Sequence, residues 1–289
     1  MTRREALLAA AAPAVAPAGM PQVDFGKHKV GRLMVGGNPV SGHSHVDGKL
    51  SRDMIEYFTA ANVKKMLRAC EQAGINVWQS RADRHIMRLL TEYRGEGGRI
   101  QWIAQTASEL ADVPRNIRDA AALGAIGVYH HGTSTDALWA AGKIEEVRER
   151  IKVMRDAGVR AGLGTHIPEV IDYVEAKNWD VDFYMTCLYN ISRSKEEASK
   201  LAGKPVEGEF FWDPDREKML ERVRTTRRQC LIFKVYGASR KCDSPEQMSA
   251  AMNQVFQYAK PSDCVVVGMF PKYKEQVAEN CRYVVQSLA

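Results

Sequence analysis

Five of the seven histidines fall on three short stretches that follow apolar runs. His130 and His131 close Gly127-Val128-Tyr129-His130-His131-Gly132, His166 follows the run at 160–163, and His43 and His45 lie in Asn38-Pro39-Val40-Ser41-Gly42-His43-Ser44-His45. Imidazole is the side chain that takes up and gives back protons near neutral pH, and it is the commonest transition-metal ligand. Two chemistries follow. In one, His43, His45, His131 and His166 converge as neutral ligands on a divalent transition metal. In the other, His131 or His166 is a general base, with Arg81 or Lys234 steadying an oxyanion or enolate. The second suits isomerisation, epimerisation or elimination on a sugar or hydroxy-carbonyl compound.

Each residue also has an ordinary structural role open to it. His43 and His45 fit a polar loop, His131 and His166 fit simple hydrogen bonds, and His28 and His85 fit a surface or a cap. Cys187 is a nucleophile only beside a basic group; otherwise it is an apolar core residue. Tyr189 and Tyr236 are the phenols placed to act as unusual proton donors. Trp78 and Trp102 read as core, whereas Trp212, in the irregular Glu209–Pro214 stretch, fits a lid over a substrate.

The elements that must position these residues alternate regularly. Short apolar runs at Val30–Val35, Ile75–Trp78, Gln101–Ala104, Ile126–Tyr129, Arg160–Leu163, Phe183–Thr186, Leu231–Phe233 and Cys264–Val267 read as strands. Between them lie helical patterns. Over Lys143–Ala157, Ile144, Val147, Ile151 and Met154 form a stripe at three- and four-residue spacing. Ser244-Pro245-Glu246-Gln247 combines a cap, a first-turn proline and a capping-box glutamine, and Pro168 opens another helix. Eight strand–helix repeats predict a single (β/α)₈ barrel of α/β class over residues 20–289, with the polar residues at the C-terminal strand ends where barrel sites are built. An open doubly wound sheet is the alternative, but no G-x-G-x-x-G follows an early strand. Residues 194–213 predict a long irregular loop.

The order of motifs resembles the aldo-keto reductase superfamily from about residue 22 onward. Phe25–Gly37 is similar to that family's small N-terminal hairpin running into the first barrel strand. Ala73-Gly74-Ile75-Asn76, Asp156–His166, Leu188-Tyr189-Asn190 and Gly268–Asn280 resemble its strand-two, strand-five, strand-six and closing segments. The resemblance implies a tetrad of aspartate, tyrosine, lysine and histidine. Here Gln79 stands at the aspartate position, Gln105 or Thr106 at the lysine position, no tyrosine follows Arg81 at the expected spacing, and only His131 or His130 keeps the family's residue. Carbonyl reduction by that tetrad is therefore not implied. The resemblance also points to Thr165, Asn190, Lys272 and Asn280 as NAD(P)-binding positions, with Lys274 beside them.

The remaining composition narrows the function. A formal charge of +6 carries no basic run interleaved with aromatics, and Arg222, Arg224, Arg227 and Arg228 read as a solvated helix face, which argues against nucleic-acid binding. The mature chain holds no apolar run long enough for a membrane span. Residues 1–19 differ: Thr2-Arg3-Arg4, an alanine-rich run over Ala6–Ala16, and Ala16-Pro17-Ala18 before Gly19 match a twin-arginine-like export signal and predict a periplasmic or extracellular protein. The six cysteines lack framework spacing; only Cys230 and Cys264, opening consecutive strands, are placed to meet. The expected function is an exported barrel enzyme with altered chemistry on a small carbonyl or sugar-like molecule. The alternatives are an NAD(P)-dependent oxidoreductase with an atypical proton donor and a non-catalytic binding barrel.

Overall fold

The computed structural model describes residues 19–289, so the export-signal reading of residues 1–19 lies outside the described residues except for Gly19. The chain opens with an antiparallel hairpin, β1 (Gln22–Phe25) and β2 (His28–Gly31), and then enters a closed parallel barrel. Its strands are β3 (Leu33–Gly36), β4 (Val77–Arg81), β5 (Gln101–Gln105), β6 (Ala125–His130), β7 (Arg160–Thr165), β8 (Phe183–Cys187), β9 (Gln229–Phe233) and β10 (Cys264–Gly268), with β10 pairing both β9 and β3. This is the predicted (β/α)₈ barrel with its small hairpin. Two strand boundaries differ from expectation. The run at 30–35 is divided between hairpin and barrel at Arg32, whose Nε and Nη2 reach the carbonyls of Asp263 and Lys260. The second barrel strand begins at Val77 and continues through Arg81, because Asn76 is drawn to the hairpin by hydrogen bonds with Gly31 N and Lys29 O.

The barrel interior is filled from the hairpin end. Phe25 and Val30 join Met34, Val77, Ile103, Tyr129, Phe183, Met185, Leu231 and Val266 in one buried cluster. Phe25 meets Phe183 edge-on at 5.0 Å, and Arg160 lies over its other side at 4.5 Å. Burying a ring of this size contributes roughly 1.5–3 kcal/mol. The fit depends on strand glycines: a Cβ at Gly162 would stand 2.3 Å from Phe183 Cζ. The hairpin thus seals the bottom and leaves the C-terminal strand ends as the mouth.

A second apolar layer lies between strands and helices and contains Trp78, Trp102, Leu67, Leu90, Val147, Ile151 and Val174. Both tryptophans are core, and Trp102 Nε1 donates to Ser80 Oγ at 2.9 Å. The predicted amphipathic helix is α6 (Glu145–Asp156), with Val147, Ile151 and Met154 buried. Pro168 and Pro245 open α7 (Pro168–Ala176) and α10 (Pro245–Tyr258). The stretch at 194–213 is not a continuous loop. It contains α8 (Lys195–Ala202), begun by a capping box between Ser194 and Glu197 and ended by Gly203 in the left-handed conformation. All six cysteines are free, so Cys230 and Cys264 form no disulfide. Among the described residues no helix is long and apolar enough to cross a membrane.

Candidate active site

A cavity of about 210 Å³ opens at the mouth, lined mainly by polar side chains from the ends of the strands. Its wall includes His43, His45, Arg81, His131, His166 and Lys234, so all six histidine, arginine and lysine positions expected from sequence to do chemistry are brought together there. A neighbouring cavity of about 310 Å³ shares Asn38, His43, His45, Gln79, Phe233 and Lys234 with it and extends toward Tyr236 and Asn280.

His166, one residue beyond β7, is fixed by a carboxylate. Its Nδ1 lies 2.6 Å from Asp136 Oδ2, and its backbone N–H also points to that carboxylate. Asp136 is carried by α5 (Gly132–Ala140) and further accepts from Thr165 Oγ1 and Ser192 Oγ, each at 2.6 Å. Burial alone would lower the His166 pKa, but the adjacent Cys187 sulfur and the Asp136 carboxylate outweigh it and raise the pKa to about 10. His131 lacks a carboxylate partner. Burial, with the positive charge of His166 and Arg81 nearby, lowers its pKa to about 4. One imidazole therefore holds its proton at neutral pH and the other does not, in the same cavity.

The adjacent histidine separates from this pair. A register shift between β5 and β6 at Trp102/Ile103 sets the strand's alternation so that Tyr129 joins the lumen cluster. His130 turns into the helix layer instead, where Nδ1 meets Thr135 Oγ1 at 2.8 Å and Nε2 accepts from Arg150 Nη1 at 2.6 Å. Of the two histidines ending this strand, His131 is thus the one at the mouth, held by a hydrogen bond from its backbone N–H to Thr106 Oγ1.

The metal expectation finds the histidines on one wall without a ligand set. Among the described residues no three His, Cys, Asp or Glu side chains come together to hold an ion. His45 is engaged by Glu209 at 2.8 Å and by Asn38 at 3.1 Å, and His166 by Asp136.

Tyr129 was not among the candidate residues, yet its phenol stands on the cavity wall. It accepts from Gln79 Nε2 and donates to Gln105 Oε1, both at 2.8 Å, and burial holds its pKa far above the ordinary phenol value. Gln79, at the resemblance's aspartate position, and Gln105, one of the two residues at its lysine position, thus meet on one tyrosine from β6. The available signal was parity, since Tyr129 and His131 share a strand face. Asp136 and Glu209 were also missed; both reach the site from segments distant in sequence from their histidine partners.

Lys234, directly after β9, has left-handed backbone with φ of 59°. Its Nζ is buried without a hydrogen-bond partner and lies 5.3 Å from the Phe211 ring centroid. The next residue is secured by Arg216, which is almost wholly buried and donates to the carbonyls of Val235 and Ala251 and to Gln254 Oε1, each at 2.6 Å. Arg81 also lines the cavity and is paired with Glu109 and, at 3.6 Å, with Asp83. Tyr189 stands apart from both cavities: its hydroxyl donates to Asp213 at 3.3 Å, and burial raises its pKa to about 12. Cys187 lies beside the His166 ring but is fully buried and lines neither cavity. Trp212 caps α9 (Asp213–Thr225) beneath Arg193 and Lys218 and does not line the mouth.

The positions that the resemblance assigns to a nicotinamide cofactor are mostly committed elsewhere. Thr165 Oγ1 is buried on Asp136, and Asn190 accepts from Ser192 N while its own N–H donates to Asp215; neither lines a cavity. Lys272 is paired with Asp53, which Tyr273 also engages at 2.8 Å. Asn280 does line the larger cavity, but it accepts from Tyr236 and donates to the Gln276 carbonyl. Each of these four side chains is thus engaged within the chain.

No protein-family profile matches the chain, and no curated protein matches it. Solved structures resemble it in fold. An aldo-keto reductase from Bacillus halodurans in its holo form superposes with a TM-score of 0.53 at 11% identity, covering 93% of this chain and 90% of that one. The Gox0644 protein in a complex with NADPH gives 0.55 at 10% identity, covering 94% and 93%. A truncated 3-deoxy-D-arabino-heptulosonate 7-phosphate synthase from Thermotoga maritima gives 0.52 at 10% identity, covering 93% and 90%. The neighbours are TIM-barrel enzymes of more than one kind, and at these identities the likeness is one of fold.

Proposed function

We propose that the mouth is an acid–base site that moves a proton on the carbon next to the carbonyl of a small hydroxylated aldehyde or ketone. The observation that carries this reading is the pair His131 and His166. Both line one cavity, and their surroundings push their proton affinities in opposite directions, the arrangement that separates a base from an acid. His131, neutral, takes the α-proton. His166, protonated and held by Asp136, donates to the developing enolate oxygen. Arg81 adds positive charge at the same wall, while Tyr129, Gln79 and Gln105 supply hydrogen bonds for hydroxyl groups. Isomerisation, epimerisation and elimination all begin with this step.

The motif order supports kinship with aldo-keto reductases, but hydride transfer is not part of this proposal. Thr165, Asn190 and Lys272, the positions that the resemblance assigns to NAD(P), are engaged within the chain, and among the described residues no ligand cluster for a transition metal forms. The twin-arginine-like pattern of residues 1–19 supports action outside the cytoplasm.

The test is solvent deuterium exchange. In D₂O, NMR should show loss of the α-proton signal of dihydroxyacetone or glyceraldehyde with the wild-type protein, and no loss with His131→Asn or His166→Asn. Exchange that persists at the wild-type rate in both variants would remove this function.

A further inference from the structure

We propose that Lys234 is a covalent catalyst, its amine condensing with the substrate carbonyl at the mouth to form an imine. The inference rests on the reading of this cavity as a site of α-proton transfer, and it narrows the substrate to a compound with a free aldehyde or ketone group.

The first observation is the state of the amine. An ammonium group carries three donors, and burying it without acceptors is costly. Lys234 Nζ is buried with no hydrogen-bond partner, whereas half-buried lysines elsewhere end on acceptors: Lys260 reaches Asp263 and the Val223 carbonyl, and Lys64 reaches Glu92 and Glu96. Phe211 and Phe233 provide an apolar lining, and Arg240 stacks on Phe211 at 3.8 Å. Burial lowers the amine's pKa, an effect that Cys187 and Glu209 only partly offset. Such desolvation is how a lysine becomes a nucleophile.

The second observation is strain. Among the described residues five other than glycine have positive φ, and four of them, His45, Lys234, Ala238 and Ser239, line the two adjoining cavities. Left-handed backbone at a residue other than glycine costs on the order of 1–3 kcal/mol and persists where surrounding structure imposes it. Here Arg216 clamps the Val235 carbonyl, fixing the backbone that aims the amine.

The step balances without an oxidant or reductant. The neutral amine attacks the carbonyl carbon, forming a C–N bond as the C–O π bond breaks, and the nitrogen passes one proton to the oxygen. His166 donates a second proton as the C–O bond of the resulting carbinolamine breaks, the oxygen leaves as water, and a protonated imine remains. The imine draws electrons from the neighbouring C–H bond, whose proton passes to His131. His131 returns a proton to carbon, and hydrolysis releases the product, restores the amine and gives a proton back to His166.

The test is reductive trapping of the full chain with dihydroxyacetone and borohydride, read by intact mass and peptide mapping. One adduct per chain is expected, heavier than the protein by the mass of the compound less one oxygen atom. It should lie on Lys234 and form at least roughly tenfold faster than on any other lysine. Lys234→Arg keeps a long basic side chain without a nucleophilic amine, and Lys234→Asn tolerates the left-handed backbone; both should lose the adduct while keeping the wild-type circular dichroism. Equal labelling of many lysines, or an undiminished adduct in both variants, would overturn the assignment. Deuterium exchange separates the two readings. Exchange at the wild-type rate in Lys234→Asn removes the imine and retains the histidine pair, whereas a Lys234 adduct without exchange retains the imine and removes the pair. Neither adduct nor exchange with dihydroxyacetone and glyceraldehyde removes both.

Discussion

His166 Nδ1 stands 2.6 Å from Asp136 Oδ2, with side-chain exposures of 5% and 1%. The contact joins the end of β7 to the second turn of α5, whose first residues follow His131 directly. The helix that begins at one histidine therefore carries the carboxylate that sets the other. His131 and His166 acquire opposite proton affinities from a single local arrangement, and any change at Asp136 should be felt by the pair as a unit.

Asp136→Asn removes the carboxylate that, with Cys187, sustains the His166 imidazolium, while leaving its burial. With His131 titrating near 4 and His166 near 10, wild-type α-proton exchange should hold a plateau between those limits. In the variant the alkaline limb should retreat from about 10 toward lower pH, because the Asp136 contribution is lost while that of Cys187 remains. The exchange rate at mildly alkaline pH should fall by roughly 10²-fold or more. A pH–rate profile checks this; an alkaline limb that stays in place would show that His166 does not supply the acid.

Tyr129→Phe deletes the hydroxyl shared by Gln79 and Gln105 and leaves a buried amide donor and acceptor without partners. Denaturant unfolding should register a loss of roughly 1–3 kcal/mol. Substrate affinity should also weaken, because both glutamines line the cavity and lose their fixed orientation.

Much of the fold was legible because alternating apolar runs and capped amphipathic helices are local patterns. Each of the eight runs reaches a barrel strand, the one at 30–35 being shared with the hairpin, and Ser244-Pro245 and Pro168 open helices as expected. The site was only partly legible. Its histidines could be placed at strand ends, but the turning of His130 away from the mouth depends on the register of β6 against β5. The partnerships Asp136–His166 and Glu209–His45 depend on tertiary packing across 30 and 164 residues of sequence. Tyr129, on which Gln79 and Gln105 meet, likewise reads locally as one more apolar position of its strand.

The histidines also determine how stability varies with pH. His130 and His131 have folded pKa values lowered to about 3 and about 4, by burial first and then by Arg150 beside His130 and His166 beside His131. Their contribution is present above the unfolded value of 6.5 and is lost as pH falls toward those values. His166 has the opposite sign: its contribution is complete below 6.5 and is lost as pH rises toward 10. Thermal melting should therefore weaken on both sides of neutrality. His130→Gln, which can still accept from Arg150, should flatten the acid side and leave the alkaline side unchanged.

NADPH should not bind as it would to a dinucleotide-adapted barrel. Thr165 and Asn190 are turned to Asp136 and Ser192, and Lys272 is held by Asp53. A fluorescence titration is expected to show no saturable change up to about millimolar cofactor, the weak limit of specific cofactor affinity. Releasing Lys272 with Asp53→Ala should not create binding, because the nicotinamide end would still lack free partners. Saturation in the wild type would instead show that these side chains rearrange around the cofactor.

Arg216 tests whether the mouth is held from behind. Its guanidinium gives hydrogen bonds to Val235, Ala251 and Gln254, joining the segment after β9 to α10, and makes no contact with either cavity. Arg216→Ala leaves these buried acceptors unpaired, at roughly 1–3 kcal/mol for each one orphaned, and opens a void. Arg216→Lys keeps one charge but cannot span three acceptors, so it should fold with a smaller loss. In that milder variant the backbone at Lys234 is no longer fixed through the Val235 carbonyl. Borohydride trapping on Lys234 should slow while deuterium uptake and hydrogen-exchange protection elsewhere in the barrel stay near wild type. Trapping that proceeds at the wild-type rate in Arg216→Lys would show that the strained backbone at Lys234 is maintained by its own loop and not by the arginine behind it.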